Sequence, residues 1–71
     1  MASDVVVVVN GTRRELAEAS CTVADLVGTL GLAGKRIAVE RNGEIVPRSR
    51  FSETKLASGD RLEIVGAVGG G

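Results

Sequence analysis

The chain has 71 residues, short enough for one small domain with a minimal core. Its 9 Lys and Arg balance its 9 Asp and Glu, it has no histidine, and its lone cysteine and lone aromatic residue are Cys21 and Phe51. Those counts exclude a phosphate-neutralising nucleic-acid surface, a base-stacking platform, a His/Cys zinc site, a Ser-His-Asp or Cys-His catalytic pair and an internal disulfide.

Asp4 to Val9 carries five consecutive valines, whose branched β-carbons favour a strand over a helix. Asn10-Gly11 follows, a dipeptide suited to the positive φ angles of a type I′ hairpin turn. Thr12 to Ala17 then returns as a second strand. A two-residue turn pairs Val9 with Thr12, Val7 with Arg14 and Val5 with Leu16. Leu16 is the most apolar residue of the return strand, so Val5, Val7 and Val9 are expected to face the core.

Thr22 is a suitable N-cap, with Asp25 as its capping-box partner. Val23, Leu26, Val27 and Leu30 fall at i, i+3, i+4 and i+7, which predicts a short helix over 23–30 with one apolar stripe. Gly31 is placed to stop it. So short a helix holds only by packing on a sheet.

Ile37 to Arg41 reads as a third strand, Asn42-Gly43 as a second hairpin turn and Glu44 to Val46 as a fourth strand ended by Pro47. Within 49–56 a helical turn is expected, with Phe51 and Leu56 closing the open end of the core. Ser58-Gly59-Asp60 forms a turn. Arg61 to Val65 is the last strand, with Leu62 and Ile64 inward. Residues 66–71 hold four glycines in six positions and read as a flexible arm. The division is thus a folded body of 1–65 and an arm of 66–71.

Two hairpins flanking one helix imply an α+β fold. A mixed sheet of about five strands has the helix on one face and the first and last strands parallel at its centre. This is the β-grasp, or ubiquitin-like, arrangement.

The arm is the most informative functional feature. A chain ending in Gly69-Gly70-Gly71 presents an α-carboxylate on a thin stem that no side chain widens. An acyl-activating enzyme could admit such a stem into a narrow channel, gripping the apolar Val65, Ala67 and Val68 that precede the glycines. From the glycines alone, a frayed terminus without a role fits equally well.

Cys21, before the helix, is read as a small core thiol, since no base accompanies it. Lys35-Arg36, Arg48, Arg50 and Lys55 are read as solvated charges. The acidic residues have no metal-site or paired-carboxylate spacing, and the glycines form no phosphate-binding loop. The Val5–Val9 run is far too short to span a membrane, and Met1-Ala2-Ser3-Asp4 lacks the basic start of a signal peptide. A cytoplasmic location is therefore expected.

Nearly the whole chain resembles the ThiS/MoaD group of ubiquitin-like sulfur carriers. The resemblance rests on Val-Val-Val-Asn at 7–10, Thr-Val-Ala-Asp-Leu-Val at 22–27 and Ile-Ala-Val-Glu at 37–40. It continues through Ile-Val-Pro-Arg at 45–48, Ser-Gly-Asp-Arg-Leu-Glu-Ile-Val at 58–65, and Ala67-Val68 before the terminal glycines. Ile-Val-Pro-Arg with a terminal Gly-Gly points to the thiamine branch. The family needs two terminal glycines and this chain has three, so the essential pair maps to Gly70 and Gly71 and leaves Gly69 as spacer.

What the resemblance implies is a protein cosubstrate rather than an enzyme. An adenylyltransferase similar to ubiquitin-activating enzymes would use ATP and Mg²⁺ to activate the Gly71 carboxylate, with neither bound by this chain. A cysteine desulfurase or other sulfur donor would then convert it to a thiocarboxylate, and thiazole synthase would take the sulfur. A carrier for molybdopterin or cysteine synthesis, a ubiquitin-like tag joined through Gly71, and a binding module with an inert arm remain as alternatives. No nucleic acid or membrane is expected among the partners.

Overall fold

The computed structural model describes residues 4–66. Its strands are β1 (Asp4–Val9), β2 (Thr12–Ala17), β3 (Ile37–Arg41), β4 (Glu44–Val46) and β5 (Arg61–Gly66), with one α-helix, α1 (Val23–Thr29). Two short 3-10 turns, Glu18–Ser20 and Arg48–Arg50, lie in the connections. The five-stranded sheet has the order β2-β1-β5-β3-β4. β5 runs parallel to β1 and antiparallel to β3, so the first and last strands meet at the centre as expected.

The first hairpin has the expected register, Val9 opposite Thr12 and Val5 opposite Leu16. Its turn residues have positive φ, 49° at Asn10 and 84° at Gly11, as the type I′ turn requires. Asn42 and Gly43 repeat that geometry between β3 and β4. Val5, Val7, Val9 and Leu16 are buried, and so are Leu62 and Ile64 of β5.

The capping box forms. Thr22 Oγ1 accepts from Asp25 N–H at 3.1 Å, and Asp25 Oδ2 accepts from Thr22 N–H at 3.1 Å. Two further orphan donors of the first turn are satisfied from outside the helix: Val23 N–H donates to Thr54 O and Ala24 N–H to Phe51 O. The helix ends at Thr29, one residue before the predicted end, with Leu30 as its C-cap. Leu32 N–H donates to Val27 O and Gly31 N–H to Gly28 O, the two bonds of a Schellman ending.

Leu26, Val23 and Val27 bring the helix face onto the sheet, where Val39 and Leu62 lie beneath. Leu56 is buried and Phe51 packs half-buried at the edge, closing the end of the core as expected. Cys21 is a buried free thiol whose Sγ–H donates to Glu18 O at 3.2 Å, in keeping with a packing role.

The last strand runs one residue past its expected end at Val65. Gly66 belongs to β5 because its backbone still pairs with Ile37, the first residue of β3. The remaining arm residues expected to act, Ala67, Val68, Gly69, Gly70 and Gly71, lie outside the described residues.

Candidate functional site

The functional site predicted from sequence is the arm, and the structure shows how its base is held. Val65, the one predicted site residue within the described part, is 59% exposed. It lies on the outer face of the sheet, away from the helix, opposite Ala38 of β3. The next residue, Gly66, is the last described position of the central strand. That strand is the middle one of the five and not an edge strand.

Two side-chain devices fix that strand. At its far end the Asn10 side chain continues the β1–β5 ladder past the point where β1 turns away. Asn10 N–H donates to Leu62 O; beyond it, Oδ1 accepts from Ile64 N–H at 2.8 Å and Nδ2 donates to Ile64 O at 2.9 Å. A carboxamide thus stands in for the next peptide group of β1.

At the start of β5 sits Asp60, the buried charged residue among the described ones. Its Oδ2 accepts from Arg41 Nε and from Ala57 N–H, both at 2.8 Å, and its Oδ1 accepts from Asn42 Nδ2 at 3.0 Å. Burial is the largest influence on this carboxyl and acts to raise its pKa. The bonds from Ala57, Asn42 and Arg41 together outweigh it and hold the group below the ordinary aspartate range. Asn42 completes the junction, its Oδ1 accepting from Arg61 N–H at 2.9 Å.

Sequence reasoning gave both asparagines to turns and Asp60 to a turn, and found none of these bonds. Apart from the Ala57 N–H bond, which closes the turn three positions away, no local pattern signals them, because their partners lie 18 to 54 positions away.

The outer face beside Val65 carries one further exposed large apolar residue, Ile45, at 65%. It belongs to the Ile45-Val46-Pro47-Arg48 segment. Ile45 lies opposite Glu40, and Glu40 lies opposite Glu63. Ile45, Glu40 and Glu63 thus form one row across this face, two residues before Val65 along β5.

On the opposite, helix-bearing side a pocket of about 240 Å³ lies beside the start of β3. Val27, Leu32, Ile37 and Phe51 supply apolar lining, and Lys35 and Arg48 line it as well. From the sequence these two cations, 13 positions apart, read as solvated charges, and folding brings both to one cavity.

Among the described residues no group of three or more His, Cys, Asp or Glu could hold a metal ion. No helix among them is long and apolar enough to cross a membrane.

A five-stranded mixed sheet with one helix and a central last strand leading to a glycine arm defines a ubiquitin-like β-grasp domain. The family comparison is more specific: the ThiS family model matches residues 7–71, which includes the terminal glycines. The chain belongs to the ThiS family of sulfur carriers.

Among its relatives, the sulfur carrier protein ThiS of Bacillus subtilis is 44% identical over 50 residues, covering 70% of this chain and 76% of that protein. A thiazole synthase of Paramagnetospirillum magneticum is 48% identical over 64 residues, 90% of this chain. This chain spans only 19% of that larger protein's length. The crystal structure of the thiamine biosynthesis protein ThiS from Geobacter metallireducens superposes with a TM-score of 0.75 at 32% identity. The match covers 93% of this chain and 99% of that one.

Proposed function

We propose that the chain carries sulfur for formation of the thiazole ring of thiamine, as a thiocarboxylate on Gly71. The observation that carries this proposal is the family match through residue 71, on a fold whose central strand leads into the glycine arm. The relative named as a thiazole synthase contains a segment like this chain and supports that enzyme as the sulfur acceptor.

The chemistry is set by the carboxylate. A carboxylate is a poor electrophile, because attack must expel an oxide. An adenylyltransferase partner would join the Gly71 carboxylate to the α-phosphate of ATP, releasing pyrophosphate and leaving AMP as a competent leaving group. A sulfur nucleophile, supplied from cysteine through a desulfurase, would then attack the acyl carbon. AMP departs with the original carboxylate oxygen. With a persulfide donor the product is an acyl disulfide, whose S–S bond a second thiol then cleaves, leaving the Gly71 thiocarboxylate and a disulfide of the two thiols. The carrier's part is to present the carboxylate. Glycines let the arm enter a channel closed to side chains, and the clamped β5 gives that arm a fixed origin.

The test is intact mass after incubation with the adenylating enzyme, Mg²⁺-ATP and a sulfur source. The expected product is heavier by the difference between sulfur and oxygen. Absence of that product overturns the proposal, and covalent adducts on other proteins would assign the chain as a conjugation tag instead.

A further inference from the structure

We infer that the pocket bordered by the helix end and the start of β3 is a docking site for the chain's own C-terminal segment. Docking there holds the Gly71 carboxylate back from its activating partner. The inference rests on the proposed function in one respect: it takes Gly71 to end in a free carboxylate.

Three observations on different parts of the molecule converge. The first is position. Gly66, the last residue of β5, pairs with Ile37, and Ile37 itself lines the pocket. Gly66 shares the inward side of β5 with Leu62 and Ile64. A β-carbon built at Gly66 would meet nothing within 4 Å, so the way from the strand end toward the helix side is open.

The second is reach. Five residues follow Gly66, enough for roughly 17 Å of extended chain. The pocket begins at the residue paired with Gly66, so this length suffices even with a reversal of direction.

The third is complementarity. Val27, Leu32, Ile37 and Phe51 line the pocket with apolar surface that suits a valine side chain, and Val68 is two residues past Gly66. Lys35 and Arg48 are two cations suited to a carboxylate, and Gly71 would place one three residues further on. Neither cation is in an ion pair among the described residues, where the salt bridge present joins Arg41 and Asp60. Each contact is modest on a surface. Tethering raises the arm's effective concentration to the millimolar range or above, so modest contacts suffice to populate a docked state.

The experiment compares amide NMR spectra of the full chain, of a chain ending at Gly66, and of the full chain carrying Lys35→Glu and Arg48→Glu. Ala24 and Ser52 line the pocket but are remote from Gly66 in sequence, so they report docking and not the cut itself. Their amides should shift on truncation. The charge-reversed full chain should lose the difference from a truncated chain carrying the same two substitutions.

Adding the peptide acetyl-Ala-Val-Gly-Gly-Gly with a free carboxylate to the truncated chain should move the same amides toward their full-chain positions. The C-terminally amidated peptide should do so only at higher concentration. Ala24 and Ser52 amides that are identical in the full and truncated chains overturn the inference. So do shifts that persist after charge reversal. The spectra are read without any partner, so a failure to form the thiocarboxylate leaves this result standing, and the reverse holds too.

Discussion

The Asn10 carboxamide holds both backbone groups of Ile64, accepting from its N–H at 2.8 Å and donating to its carbonyl at 2.9 Å. The residue that turns the first hairpin is thereby also a rung of the central parallel ladder. Asn10 has a φ of 49°, a value glycine adopts without strain, so Asn10→Gly removes the carboxamide while leaving the turn relaxed. We expect a loss of about 1–2 kcal/mol, the net worth of two hydrogen bonds, and faster amide exchange at Ile64 than at Leu62 relative to the parent. Unchanged protection at Ile64 would show that the clamp contributes nothing.

Leu26 is fully buried at the centre of the helix–sheet contact. Leu26→Ala should cost about 2–5 kcal/mol through lost burial and the cavity left behind. That is a large part of the stability available to so small a domain. A denaturation midpoint equal to the parent's would contradict the packing described above.

Asp60 makes stability depend on pH in one direction. Its folded pKa lies below the ordinary value of 3.8, with burial opposing the shift and the Ala57, Asn42 and Arg41 bonds producing it. A depressed carboxyl contributes stability that is complete above the unfolded pKa and is lost as pH falls through the folded one. The melting temperature should therefore be insensitive to this group above about pH 5 and fall progressively below about pH 4. Asp25 acts in the same direction, its carboxyl held down first by the Thr22 backbone N–H and then by the Thr22 side chain. Asp60→Asn should be less stable at neutral pH and show a shallower acid limb. An acid limb as steep as the parent's would locate the titrating groups elsewhere.

The terminal glycines should be unequal in function. A side chain at Gly70 would have to pass the narrowest part of any channel leading to the ATP α-phosphate, whereas Gly69 stands one residue further out. Gly70→Val should strongly reduce pyrophosphate exchange by the adenylating enzyme and Gly69→Ala only mildly, with unfolding curves unchanged in both. Equal exchange for Gly70→Val and the parent would mean that the arm is not threaded through a tight channel.

Features whose cause is local are legible in the chain. The register of the first hairpin follows from Asn10-Gly11, because a two-residue turn leaves one pairing and Leu16 selects the buried face. The helix start follows from Thr22 and Asp25, which lie within one turn of each other. The resemblance to the family rests on short segments spread over nearly the whole chain, from Val-Val-Val-Asn at 7–10 to the terminal glycines, and Ile45–Arg48 with those glycines points to the thiamine branch.

Contacts between distant positions emerge only in the folded molecule. Folding gave Asn10 its second role at Ile64, made Asp60 the hub of a junction with Arg41 and Asn42, carried β5 through Gly66, and brought Lys35 to the same cavity as Arg48. Such contacts leave no periodic trace in the chain. Hydrophobic spacing records which face a residue presents, but the partner of a polar side chain is set by where the sheet order places a strand many residues away.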